Sequence, residues 1–215
     1  MCVKWLRTES TQVSLLKKRG TNRVMFNNYI EPKVIPDLLT EDEIEYIKKE
    51  SINKFTPSTI DDGVVDDNFR KSETAFLESN DPIVNSVIRK CVSLINKPFE
   101  NVERLQVLRY KEGGRYEYHQ DVCYQDENKR LYTFIIALND DYEGGETSFP
   151  YLNVEYKLKK GSALFFYTLD NHEVVTDLAV HGGQPVKSGE KWICNLWVWK
   201  YPPSLEPWKF LLNNI

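Results

Sequence analysis

The sequence predicts an α+β fold that is predominantly β, a sandwich or jelly roll flanked by N-terminal helices. Two observations carry this. Before residue 98 apolar residues recur at helical spacing behind recognisable caps, and after Pro98 short segments rich in aromatic and β-branched residues follow one another, separated by glycine-bearing turns. Many short strands in series imply two sheets packed on each other. At 215 residues the chain is long enough for one core-bearing domain.

Residues 1–30 are polar and weakly patterned, and Pro32 and Pro36 punctuate the chain before the first clear element. Thr40-Glu41-Asp42-Glu43 has the form of a capping box, and Ile44, Tyr46 and Ile47 continue it as an amphipathic stripe, which predicts a helix over 40–52. From Asn53 to Asn80 the text is polar and turn-rich, with Asp61-Asp62-Gly63 and Asp66-Asp67; the spacing does not match an EF-hand, so a solvated loop is expected rather than a calcium site. Asp81-Pro82 then opens a second helix whose broad apolar face comprises Ile83, Val84, Val87, Ile88, Cys91, Val92 and Ile95. Both helices are expected to cover a sheet.

Strands are predicted at Leu105–Tyr110, Leu131–Leu138, Val154–Leu158, Ala163–Tyr167, Val174–Val180 and Trp192–Trp199. Gly113-Gly114, Gly144-Gly145 and Gly161 mark the turns. None sits between a strand and a helix with a following Lys-Ser or Lys-Thr, so these are hairpin glycines rather than phosphate loops.

Composition excludes several classes. No stretch approaches the roughly 20 apolar residues of a membrane helix, and the basic N-terminal region lacks both the continuous apolar segment and the small-residue cleavage site of a signal peptide. An intracellular soluble protein with no membrane association is expected. The formal charge of −4 disfavours binding to nucleic acid through a basic surface. Cys2, Cys91, Cys123 and Cys194 have neither C-x-x-C spacing nor the density of a disulfide framework and are read as reduced thiols.

The chemistry concentrates in Tyr118-His119-Gln120-Asp121. On an extended segment residues i and i+2 face the same way, so His119 and Asp121 can reach one metal together. His181, before Gly182-Gly183, can supply a third ligand. Two imidazoles and one carboxylate with the remaining positions open form the facial triad of non-haem Fe(II) oxygenases. A thiolate from Cys123 must be weighed, but a pocket or loop thiol is the simpler reading; His172 lies in the solvated turn Asp170-Asn171 and is set aside. Lys191 opens an apolar strand, where a partly buried ammonium needs a counter-anion. The far carboxylate of a dicarboxylic co-substrate satisfies that need.

With these residues in place the sequence resembles the 2-oxoglutarate- and Fe(II)-dependent dioxygenases, and within them the prolyl 4-hydroxylase family, over roughly residues 35–200. The resemblance runs through Phe69-Arg70-Lys71-Ser72, Gln106-Val107-Leu108-Arg109-Tyr110, Gly114-Arg115-Tyr116-Glu117-Tyr118-His119-Gln120-Asp121, Glu143-Gly144-Gly145-Glu146-Thr147-Ser148-Phe149-Pro150, His181-Gly182-Gly183-Gln184-Pro185-Val186, Lys191-Trp192 and Trp197. It implies a double-stranded β-helix (jelly-roll) core. The domain layout is then an N-terminal extension over 1–34 and a single dioxygenase domain over 35–215, with helical support and a mobile loop in 35–100, the jelly roll in 101–202 and a tail in 203–215.

The resemblance further implies that His119, Asp121 and His181 bind Fe(II), that Lys191 pairs the C5 carboxylate of 2-oxoglutarate with Tyr110 and Thr147 beside it, and that Tyr116, Arg130 and Trp197 face a proline-containing peptide. O2 is the oxidant, succinate and CO2 the co-products and ascorbate the expected reductant. Asn53–Asn80 becomes a candidate substrate lid. Strand parity complicates one assignment: Tyr116 lies an odd number of residues from His119, so its pocket role requires a bend near Arg115. The aromatic run Trp192, Trp197, Trp199, Tyr201 and Trp208 is read as strand-core packing, with Trp197 turned to the pocket.

Overall fold

A computed structural model describes residues 28–60, 63–122 and 127–203. The expectations for the N-terminal extension up to residue 27, for Cys2, Asp61, Asp62 and Cys123, and for the tail from 204 with Trp208, lie outside these residues.

The helical flank follows its caps. In α1 (Glu41–Ser51) the Thr40 hydroxyl accepts from the Glu43 amide at 3.3 Å and the Glu43 carboxylate accepts from the Thr40 amide at 2.8 Å, so both arms of the capping box are made. In α2 (Pro82–Val92) the Asp81 carboxylate accepts from the amides of Ile83 and Val84, and Pro82 stands at the first position, where its missing N–H leaves no gap. α2 stops at Val92, short of the Ile95 expected from the apolar pattern.

The strands are β1 (Lys33–Ile35), β2 (Thr56–Pro57), β3 (Arg70–Lys71), β4 (Glu73–Leu77), β5 (Leu105–Tyr110), β6 (Arg115–His119), β7 (Arg130–Ala137), β8 (Glu143–Gly144), β9 (Thr147–Phe149), β10 (Val154–Tyr156), β11 (Ala163–Tyr167), β12 (His181–Gly183), β13 (Val186–Ser188) and β14 (Lys191–Trp199). They form a seven-stranded sheet in the order β1-β11-β7-β14-β5-β4-β2, a five-stranded sheet β10-β9-β12-β6-β3 and the small pair β13-β8, all antiparallel where paired. Two cores result. One lies between the helices and the large sheet and takes Ile44, Ile47, Val87 and Ile88 against Val107, Phe134, Cys194 and Leu196. The other includes Leu108, Ile135 and Ile193 of the large sheet and Phe149 of the smaller one.

β14 shows how the site is aimed. Every residue of it is buried, because both faces of the large sheet are covered. Trp192, Cys194, Leu196 and Val198 belong to the helix-side core and Ile193 to the other; by alternation Lys191, Asn195 and Trp197 share the face of Ile193.

Two expectations require correction. Val174–Val180 is not a strand: it contains a single bridge, Val175 to Leu169, and a 3-10 turn over Asp177–Ala179, because the Thr176 hydroxyl accepts from the Leu178 amide and turns the chain. Asn53–Asn80 is not one loop. It contains β2, β3 and, near its end, β4, which is paired along its length with β5 and places Ala75 and Leu77 in the core. The alternation in Glu73-Thr74-Ala75-Phe76-Leu77 is too short to stand out from the polar text around it. Cys91 and Cys194 are unpaired and buried, and burial pushes the Cys91 thiol up to about 12. Among the described residues no helix is long and apolar enough to cross a membrane.

Candidate active site

The site forms where β6 ends and β12 begins. His119 and His181 are direct register partners across these antiparallel strands, and Asp121 follows two residues beyond His119. All three are buried, at 7%, 4% and 6% exposure respectively, and their ligand atoms lie within 4.8 Å of one another. The Nδ1 atom of His119 bonds the Glu117 carbonyl at 2.7 Å and that of His181 bonds the Ala179 carbonyl at 3.0 Å. A carbonyl only accepts, so each Nδ1 carries the proton and each Nε2 keeps its lone pair for a metal. Those Nε2 atoms stand 3.6 Å from the two Asp121 oxygens, His119 facing Oδ1 and His181 facing Oδ2. That separation exceeds a hydrogen bond and suits ligands converging on one cation. The donor set and its spacing therefore fit Fe(II).

The protonation states agree. Burial among Phe149 and Phe166 drives His181 down to about 4 against the opposing pull of Asp121, so its imidazole is neutral at pH 7. Burial alone would push Asp121 up, but the neighbouring His181 and His119 rings and the Arg130 guanidinium outweigh it and hold the carboxyl well below the usual carboxylate range.

The parity problem of Tyr116 is resolved by a β-bulge. His181 pairs with His119 and Gly183 with Tyr116, so two steps along β12 face three along β6. The extra residue flips Tyr116 onto the ligand side, where its ring stacks on His119 at 3.6 Å between centroids and 19° between planes. The bend lies at Glu117–Tyr118, not at Arg115. Tyr118 stays outside, 39% exposed, hydrogen-bonded to Ser148.

Lys191 lies on the neighbouring part of the large sheet, paired in register with Tyr110. It is 5% exposed, and burial pulls it down to about 8, with Glu146 opposing and Lys157 reinforcing the shift. Its ammonium donates to the Gly145 carbonyl at 2.7 Å. Gly145 has φ +68, a conformation that favours glycine, and a Cβ there would crowd Tyr142 at 3.0 Å and the Lys191 side chain at 3.2 Å. Lys191 lines a small pocket together with Ile135, Tyr142, Thr147, Tyr156 and Leu158.

Of the other expected residues, Tyr110 is buried beside Arg70 and Ser72, and Thr147 pairs with Gly183 of β12. Arg130 donates to Glu103 at 2.6 Å and to the Asp121 carbonyl at 3.2 Å, with its guanidinium 4.3 Å from the Trp197 ring and 5.4 Å from Trp199. His172 is exposed and takes no part.

Several contributors were not singled out from sequence. Arg70, read as part of a mobile stretch, is buried with its guanidinium 4.5 Å from the Tyr116 ring. Glu103 accepts from both Arg130 and the Trp199 indole. The Thr133 hydroxyl donates to Asp121 Oδ2 at 2.7 Å. Tyr142 and Tyr156 line the pocket. The available signal was parity: Thr133 is the polar member of the run Leu131, Thr133, Ile135, Ala137 on one strand face.

Comparison with known proteins converges on the same chemistry. Residues 105–199 match the sequence model of the 2OG-Fe(II) oxygenase superfamily. A prolyl 4-hydroxylase-type protein of Acanthamoeba polyphaga mimivirus is 34% identical over 180 residues, covering 79% of this chain and 74% of that one. Prolyl 4-hydroxylase 2 of Arabidopsis thaliana is 30% identical over 185 residues, covering 73% of this chain and 62% of its own length. The crystal structure of the viral collagen prolyl hydroxylase of Paramecium bursaria Chlorella virus-1, a 2-oxoglutarate complex, aligns with a TM-score of 0.65 at 28% identity, over 79% of this chain and 96% of that one. The chain thus belongs to the prolyl 4-hydroxylase family and is a 2-oxoglutarate- and Fe(II)-dependent dioxygenase.

Proposed function

We propose that this dioxygenase hydroxylates prolyl residues, at the 4-position, in a proline-rich or collagen-like peptide. The observation that carries the reading is the stack of Tyr116 on the ligand ring of His119, which sets an aromatic wall directly beside the metal position. Trp197, with Arg130 over its face, supplies a second aromatic surface nearby. A proline-rich peptide presents a preformed polyproline II shape, which reduces the ordering cost of entering an aromatic groove.

In this reading His119, Asp121 and His181 hold Fe(II) and leave its other positions open. Bound iron, with 2-oxoglutarate and O2, supplies an oxidative decarboxylation that yields succinate and CO2 and places one oxygen atom in a C–H bond of the substrate. Lys191 neutralises the distal carboxylate of 2-oxoglutarate, Tyr110 and Thr147 hydrogen-bond the same end, and Tyr142, Tyr156 and Leu158 exclude water from it. Tyr116, Arg130 and Trp197 orient the peptide. Ascorbate serves as reductant for turnovers that proceed without substrate.

The test is succinate and hydroxyproline formation from a panel of proline-rich and collagen-like peptides with Fe(II), 2-oxoglutarate and ascorbate, using His119→Ala as the control. Hydroxyproline above the control is the expected result. Succinate formed without hydroxyproline across the panel would assign the same chemistry to another substrate.

A further inference from the structure

We propose that Thr133 is a positioning residue of the metal site, whose hydroxyl fixes the rotation of the Asp121 carboxylate so that Oδ1 is presented to the metal. The inference rests on the reading of His119, Asp121 and His181 as the iron ligands. Thr133 lies in the middle of β7 at 1% exposure, and its neighbours on the same strand face, Leu131, Ile135 and Ala137, are apolar. A hydroxyl left without a partner in such a place is destabilising, so the side chain must find an acceptor. Its partner is Asp121 Oδ2, at 2.7 Å, with both side chains buried.

The geometry gives that bond a task. The torsion that rotates an aspartate carboxylate is broad and roughly two-fold, so its rotamer preference alone does not select which oxygen faces the metal. Asp121 lies beyond the end of β6, and its main chain is tied instead by the Arg130 bond to its carbonyl. The Thr133 O–H engages Oδ2, which also stands 3.6 Å from His181 Nε2, and so leaves Oδ1, 3.6 Å from His119 Nε2, as the oxygen with both lone pairs open to a metal among the described residues. A carboxylate free to swing can bind through both oxygens and take up a coordination position that the co-substrate or O2 requires. Thr133 is also the register partner of Trp197, so one cross-strand pair anchors both the carboxylate and a peptide-facing ring.

The test compares wild type, Thr133→Val and Thr133→Ser by anaerobic calorimetric titration with Mn(II), with circular dichroism as the check of folding, and then measures succinate formed per hydroxylated product. Thr133→Val keeps the side-chain shape and removes the donor; it is expected to weaken Mn(II) binding about 10- to 100-fold, the usual cost of losing an outer-shell partner, and to raise the succinate ratio. Thr133→Ser restores the donor and is expected to stay within about threefold of wild type on the same scale. If Thr133→Val does not fold, Thr133→Ala replaces it with the same expectation. Mn(II) binding by the folded donor-free variant as tight as by wild type overturns the role of Thr133. Failure of wild type itself to bind Mn(II) overturns the iron-site reading and this inference with it.

Discussion

Lys191 is the residue whose chemistry is most exposed to experiment. The buried Lys191 ammonium donates to a backbone carbonyl and lies 5.4 Å from the Tyr110 ring, with no carboxylate in salt-bridge contact among the described residues, so burial draws it down to about 8. The sign follows directly: below about 8 the side chain is charged and, in the proposed role, attracts the distal carboxylate of 2-oxoglutarate, and above it the charge is lost. We therefore expect kcat/KM for 2-oxoglutarate, which reports the free enzyme, to fall as pH rises through about 8. Lys191→Ala should raise the 2-oxoglutarate KM by at least about thirtyfold, since truncating one member of a buried charged pair costs about 2–5 kcal/mol. A flat profile between pH 7 and 9.5, or an unchanged KM, would detach Lys191 from the co-substrate. At this scale the sequence was informative because the chain has only three histidines and because Asp121 and Lys191 stand at telling positions relative to two of them. Glu103 and Arg70 were opaque because a charge in sequence looks solvated until the fold buries it.

Elements divide in the same way between local and non-local causes. Both helices announced themselves through caps, whose hydrogen bonds run between residues two or three apart. Thr40→Ala removes the cap acceptor of α1 and is expected to destabilise the protein by about 1 kcal/mol. Chemical denaturation should show the loss while kcat stays unchanged, because α1 lies on the side of the large sheet away from the metal site; a change in kcat would mean that the helix communicates with the site. By contrast β9 and β12 are three residues each, and β3 only two, too short for any periodicity to register. The bulge in β6 could not be read locally either, because it exists only relative to β12. The parity argument did call for an irregularity but placed it near Arg115, whereas the register shift lies at Glu117–Tyr118.

At the scale of the whole molecule, the site joins the two sheets. His119 and His181 come from the smaller sheet, while Asp121 is tied by its side chain to Thr133 of the large one, and Lys191 and Tyr110 face it from the same large sheet. The jelly roll was legible because strands in series must cover each other's apolar faces, but which strands bring their polar residues together depends on long-range pairing that sequence spacing does not encode. The arrangement carries an energetic consequence. Asp121 is an ionised carboxylate at 6% exposure, and the Nε2 atoms of His119 and His181 stand 3.6 Å from its two oxygens, so three electron-rich ligands converge where a cation would draw them together. A divalent metal bound there is expected to stabilise the fold as a cross-link between layers as well as to enable turnover. At a free concentration about a hundred times Kd, binding to the native state alone adds roughly 2.7 kcal/mol. For a chain of this size that corresponds to a rise in Tm of about 5–10 °C. Thermal melts of wild type with chelator and with Mn(II) should show the shift, and His181→Ala should abolish it. An equal shift in that variant would place the stabilising metal elsewhere on the molecule.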